Sequence, residues 1–183
     1  MTHIKKLTVT AMCAALCVVL PLAFHLIPEG GSLFSPMHIP VLLCGIACGP
    51  LWGLACGIVG PVLSSFITGM PGGAYLPPML LELAVYGLVG GLGMGLVHTG
   101  RLYADIYISL GSAMLLGRVA AGLFMGLIFS RGEFSLAIWA ASYFLGSAPG
   151  IIAHLILVPV LYIALGKAGL VKRRSKEANN EKY

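Results

Sequence analysis

The sequence predicts an all-α integral membrane protein, a bundle of six transmembrane helices with a short second helix and both termini in the cytoplasm. Of its 183 residues, 58% are hydrophobic and only 9% are charged, and the mean hydropathy is +0.97. Soluble domains carry about 25% charged residues. The apolar residues fall into six separate runs, and most basic residues lie near the two ends of the chain. Composition, segmentation and charge distribution therefore agree on a membrane bundle.

The six apolar segments cover about 7–27, 37–49, 50–69, 77–97, 105–129 and 142–166. Five of them can cross a bilayer, because about 20 residues rising ~1.5 Å each span a hydrocarbon core of ~30 Å. The first segment is longer than the core of a signal peptide and lacks a convincing cleavage site, so we expect it to remain as a helix.

The second segment is too short to cross as a full helix, and only Gly49-Pro50 separates it from the third. Non-helical backbone at membrane depth survives only where protein or water covers its polar groups. The stretch 34–70 is therefore predicted to form a half-length helix, a tight reversal and a full helix that together line a small cavity.

The basic residues predict the orientation. Lys5 and Lys6 precede the first segment, and a second basic group follows the sixth: Lys167, Lys172, Arg173, Arg174 and Lys176. The positive-inside rule places both ends in the cytoplasm. Residues 1–171 are expected to form the membrane domain, and 172–183 a charged cytoplasmic tail. These flanks account for the net charge of +5. Since the tail directly follows a span, lipid headgroups suit it better than nucleic acid.

Small residues recur at spacings that allow close helix contacts. Ala11-x-x-x-Ala15 makes a flat stripe on the first helix, either for ordinary packing inside the bundle or for another helix. Glycines 45, 49, 53 and 57 permit close backbone approach on both sides of the reversal.

All five cysteines lie inside apolar segments, at positions 13, 17, 44, 48 and 56. Neither a C-x-x-C pair nor zinc spacing occurs, so we expect buried thiols and no metal site.

Two charged residues, Glu82 and Arg118, fall within predicted spans. Ionisable groups in the hydrocarbon layer are costly and therefore mark candidate functional sites. Glu82 is predicted ~8 Å below the outer end of its helix and Arg118 ~17 Å below that of its own, with side chains that lean apart. Either the two pair directly, or both face an outward-open polar pocket with ligand or water between them.

Other polar and aromatic residues could complete such a pocket. His38 lies at its predicted entrance between two prolines, and His154 falls near the depth of Arg118. Tyr86 follows Glu82 by one helical turn on the same face. His154 is either bound by a backbone carbonyl or a ligand contact. Further aromatic residues, namely Phe34, Tyr75 and Trp52, either stack on a flat ligand or anchor the protein at the interface.

Together these features resemble the substrate-binding S components of energy-coupling factor (ECF) vitamin importers, over almost the whole chain. The resemblance rests on the short second helix, on Ala11-x-x-x-Ala15 and on three further motifs. These are Ser35-Pro-Met-His-Ile-Pro-Val-Leu-Leu-Cys-Gly45, Glu82-Leu-Ala-Val-Tyr-Gly87 and Gly117-Arg118.

The resemblance implies a bacterial cytoplasmic membrane protein that is not an enzyme and captures a water-soluble vitamin or precursor at the outer face. Ala11 and Ala15 would dock on a transmembrane coupling subunit, which two cytoplasmic ATPases drive. The chain has no G-x-x-x-x-G-K-[ST] motif, so no cofactor is expected here and ATP would be hydrolysed by the partners. The candidate substrate-binding residues, taken from their own chemistry and position, are His38, Glu82, Tyr86, Arg118, His154, Phe34 and Tyr75. Pantothenate, cobalamin, a pyrimidine or pyridoxine-type vitamin and a queuosine precursor all remain open as ligands.

Two other classes of protein fit the sequence less well than an S component. An intramembrane protease would need a nucleophile paired with a base, and no G-x-S-x-G or G-x-S-G motif surrounds Ser64, Ser65 or Ser147. A self-sufficient secondary transporter is the alternative to an S component, but it predicts interrupted helices in both halves of the chain. Here only the first half contains one.

Overall fold

A computed structural model describes residues 1–24, 33–129 and 135–171, and this part of the chain consists of helices and their connections, with no strand. The helices are α1 (His3–Phe24), α2 (His38–Cys48), α3 (Pro50–Thr68), α4 (Leu76–Leu96), α5 (Leu102–Phe124), α6 (Leu136–Ala140) and α7 (Ala148–Lys167). α5 continues as a π-helical turn over Met125–Phe129, and α6 does so over Ala141–Gly146.

Five helices are long and apolar enough to cross a membrane, namely α1, α3, α4, α5 and α7. Large apolar side chains cover their outer surfaces; Phe66, for example, is 85% exposed. The protein is therefore a multi-pass membrane protein. The predicted short second helix is confirmed as α2, which has 11 residues. Six crossings and cytoplasmic termini stay predictions, and the tail 172–183 lies outside the described residues.

The predicted reversal between α2 and α3 is confirmed at Gly49-Pro50. Gly49 has φ 101° and ψ 174°, a conformation that a side chain would strain, and its N–H donates to the carbonyl of Gly45. Pro50 begins α3 in the first helical turn, where its missing N–H is no loss. A single residue thus turns the chain back on itself.

Glycines let three helices meet almost backbone to backbone. A Cβ added at Gly53 of α3 would overlap the carbonyl oxygen of Gly87 in α4, and one at Gly87 would overlap that of Gly53. Gly45 of α2 faces the same Gly87 carbonyl, and Gly91 packs on the backbone of Pro50. The predicted close approach is confirmed at Gly45, Gly53 and Gly57 but not at Gly49, where a Cβ would meet no atom within 4 Å, and it holds α4 against both α2 and α3. The five cysteines are free thiols and all buried, as expected.

The last helix begins later than predicted. α7 starts at Ala148, so the predicted start at 142 was wrong by about two turns. Pro149 explains the difference, because a proline lacks the N–H that a helix interior requires but fits the first turn. The stretch between the fifth and sixth predicted segments forms α6 from Leu136 onward. Its first residues, 130–134, lie outside the described part.

Candidate functional site

Four ionisable side chains from four helices meet inside the bundle. His38 lies on α2, Glu82 on α4, Arg118 on α5 and His154 on α7, and each is at most 7% exposed. Burying charged and titratable groups in a membrane protein is costly unless they partner one another. The described residues form this cluster where α2, α4, α5 and α7 converge, and it is the candidate site.

The guanidinium of Arg118 is held on two sides. Its Nε donates to the hydroxyl of Tyr86 at 3.0 Å, and its Nη1 donates to the Oγ of Ser147 at 2.7 Å. Ser147 in turn donates to the carbonyl of Tyr143 at 2.6 Å. The ring of Phe144 faces the guanidinium carbon at 5.5 Å, within cation–π range. These contacts orient Arg118 while using two of its five N–H donors.

Glu82 and Arg118 make no direct ion pair within the described structure, so of the two alternatives open for them, direct pairing is wrong. An oxygen of Glu82 lies 3.5 Å from Nε2 of His38 instead. Tyr86, one turn further along α4, supplies the contact with Arg118. Its ring fits against α5 because position 117 is a glycine, where a Cβ would overlap that ring.

The two histidines share one backbone acceptor, the carbonyl oxygen of Ser35. His38 contacts it through Nδ1 at 3.1 Å, and His154 through Nε2 at 3.3 Å. Their rings stack with centroids 5.6 Å apart and an interplanar angle of 17°. The edge of Tyr86 meets the His38 ring at 5.2 Å. Of the two alternatives for His154, the carbonyl bond is therefore present, while its buried Nδ1 has no partner among the described residues.

The carbonyl of Ser35 reaches the histidines because of local backbone geometry. Ser35 has φ 43°, an unusual left-handed conformation for a residue other than glycine. The chain just before it rests on α7 at Gly150, where a Cβ would come within 2.8 Å of the Leu33 carbonyl. Strained residues of this kind tend to occur at functional sites.

The remaining residues predicted for the site lie apart from the four-residue cluster. The ring of Phe34 packs on Phe24 of α1 at 5.4 Å, and Tyr75 is 73% exposed just before α4. Trp52 of α3 is half-buried. Whether any of these aromatic residues contacts a ligand stays a prediction.

Sequence reasoning missed a group of residues around the start of α7. Ser147 was considered only as a nucleophile, and Tyr143 and Phe144 were not considered for the site. Trp139 lies between the fifth and sixth predicted segments, and its indole packs on Gly122 of α5, with its ring centroid 5.9 Å from that of Phe144. The spacing of Trp139 and Tyr143 by four positions would have shown that these two residues share one helical face.

Comparison with known proteins identifies the family. No curated protein matches the chain. A family model described as the substrate-specific component of ECF transporters matches residues 5–164. This match covers most of the 183 residues, including every helix that contributes to the site. The chain belongs to the family of ECF transporter substrate-specific components.

Proposed function

We propose that this protein captures a small water-soluble vitamin or vitamin precursor at the outer face of a bacterial cytoplasmic membrane and delivers it through an ATPase-driven complex. Membership of the family supports a substrate-binding role in ECF transport. With both termini in the cytoplasm, the turn at Ser35 and the start of α4 lie toward the outer side. The candidate site would then open outward.

The observation that carries this proposal is the burial of Arg118 without a direct carboxylate partner among the described residues. Its side chain is 3% exposed, yet no carboxylate neutralises it directly within the described residues. The hydroxyls of Tyr86 and Ser147 hold it in place but bring no negative charge. A buried guanidinium with free donors suits a carboxylate or phosphate, because such groups accept two parallel hydrogen bonds from it.

The proposed partners are a transmembrane coupling subunit and two cytoplasmic ATPases, which would hydrolyse ATP on behalf of this chain. Ala11 and Ala15 are exposed on the outside of α1, whereas Ala14 between them is buried. Packing inside the bundle therefore does not explain the exposed pair. Small residues four apart let a second helix approach closely in a bilayer, which supports docking of the coupling subunit there.

The proposal is tested by identifying what the protein holds. Protein purified gently from its native membrane should release one small molecule, identified by mass spectrometry and then used as the titrant in calorimetry. Arg118→Ala should lower the affinity for that molecule by at least a hundredfold, because a charged hydrogen-bond partner is lost. Arg101→Ala is the control, since Arg101 is exposed in the turn before α5. Equal affinity of both variants would remove Arg118 from the site.

Transport separates the proposal from the rival class of protein. In liposomes, uptake should require the coupling subunit, the ATPases and ATP. Uptake driven by an ion gradient with this chain alone would favour a self-sufficient secondary transporter instead.

A further inference from the structure

The hydrogen-bonding pattern around Ser35 determines where the protons of both histidines lie. A carbonyl oxygen only accepts hydrogen bonds, so each nitrogen that contacts it must carry a hydrogen. His38 therefore has a proton on Nδ1, and His154 has one on Nε2. Which tautomer each ring adopts is thus fixed by a single backbone atom.

In His154 this leaves Nδ1 without a hydrogen, so Nδ1 can only accept a hydrogen bond. Its ring is 0% exposed and stacks on His38. A second proton would add another buried cation to a cluster that already holds Arg118, which is costly in a low-dielectric site. The ring is therefore neutral, and its Nδ1 presents a lone pair. That atom has no partner in the described structure.

The carboxylate of Glu82 has its described ion-pair contact with His38 and not with Arg118. Nε2 of His38 lies 3.5 Å from a carboxylate oxygen of Glu82. Within the described residues the guanidinium of Arg118 is therefore held by the hydroxyls of Tyr86 and Ser147, and no carboxylate contacts it directly.

From these two results we infer the chemical class of the ligand: an anion that also carries a hydroxyl or amide N–H group, with the anion at Arg118 and the donor on Nδ1 of His154. The inference rests on the proposed function and deepens it. A carboxylate or phosphate accepts two parallel hydrogen bonds from the free donors of Arg118. The hydroxyl or N–H satisfies the one side-chain acceptor of the cluster that the described residues leave orphaned.

The unpartnered Nδ1 of His154 should make the site selective among anionic ligands. A site built to bond a hydroxyl or N–H rejects an otherwise similar ligand that lacks it, because its own buried polar atom is then left unpaired. A simple fatty acid or an aliphatic dicarboxylate would meet Arg118 but leave His154 unsatisfied. We therefore expect such anions to bind far more weakly than hydroxy or amido acids.

The first test uses the molecule that the wild-type protein releases. Negative-ion mass spectrometry in water and in deuterium oxide shows whether it is an anion and counts its exchangeable hydrogens. At least one exchangeable hydrogen beyond the acidic group is expected. A neutral or cationic molecule, or an acid without a further donor, would overturn the inference while leaving substrate capture intact. Release of no molecule at all would count against the proposed function and would remove this inference with it.

The second test uses two substitutions at His154 and the same released molecule as titrant. His154→Gln keeps a donor near the Nε2 position for Ser35 but loses the acceptor at Nδ1, so affinity should fall about tenfold or more. His154→Asn places its amide at the Nδ1 position and should bind within about fivefold of wild type. A merely structural role would favour Gln, which preserves the Ser35 bond. Wild-type affinity in His154→Gln, as expected if only water occupies Nδ1, would refute the assignment, and so would equal losses in both variants.

Discussion

Replacing Gly87 with alanine should separate α3 from α4 and disturb the site at the same time. An added Cβ would overlap the carbonyl oxygen of Gly53 and lie 2.9 Å from its Cα. Both atoms belong to helix backbone, so no side chain can rotate away, and one helix has to move. Overpacking of this kind costs about 1–3 kcal/mol, and the absence of a flexible neighbour puts this site at the upper end.

The size of the effect can be read from thermal unfolding in detergent. For a chain of this length each kcal/mol shifts Tm by about 2–4 °C, so a loss of about 3 kcal/mol lowers Tm by about 6–12 °C. Tyr86 directly precedes Gly87, and a displaced α4 would stretch its 3.0 Å bond from Arg118. Ligand affinity should therefore fall together with stability.

Gly95 is the matched control on the same helix, because a Cβ there meets no atom within 4 Å. Gly95→Ala should leave Tm unchanged or raise it, since alanine is the better helix former by up to ~1 kcal/mol. If Gly87→Ala and Gly95→Ala unfold within about 2 °C of each other, the backbone contact between α3 and α4 is not as tight as described.

Two further substitutions test the proposed docking face and the support of the guanidinium. Ala15→Trp should spare ligand binding but block copurification of the coupling subunit, because its bulk prevents close helix approach; Val160→Trp, on a lipid-facing position of α7, should still copurify it. Ser147→Ala should weaken ligand binding about tenfold by leaving Nη1 of Arg118 without its acceptor, whereas Ser147→Thr keeps the hydroxyl and should bind normally. Normal assembly of Ala15→Trp, or identical affinities of the two Ser147 variants, would contradict the respective assignment.

The sequence was sufficient to predict the features that follow from hydrophobicity and backbone freedom. Span length requires about 20 apolar residues, so the short α2 stood out. Gly49 followed by Pro50 favours a reversal of the chain and disfavours a continuous helix. Glu82 and Arg118 could be assigned to one interior cluster because lipid excludes their charges. Each of these predictions depends on residue type alone and not on detailed packing.

The partners within the cluster could not be predicted in the same way. Whether Glu82 meets Arg118 or His38 depends on the rotation of α4 by a fraction of a turn. The position of Tyr86 between helices depends on the missing Cβ at Gly117, which the sequence displays but does not connect to Tyr86. The role of the Ser35 carbonyl depends on a φ of 43°, for which serine has no intrinsic preference.

The inventory of hydrogen-bonding groups limits how the site can recognise a solute. The carbonyl of Ser35 accepts the backbone N–H of His38 at 3.0 Å and is also contacted by one ring nitrogen of each histidine, so it has no capacity left for a solute. Nε2 of His38 faces Glu82, while Tyr86 and Ser147 receive two donors of Arg118. Within the four-residue cluster, the side-chain groups left over for a solute are the rest of the guanidinium, which is a cation, and Nδ1 of His154, which is an acceptor. A ligand recognised by only one of them would leave the other buried and unpaired, so tight binding requires both.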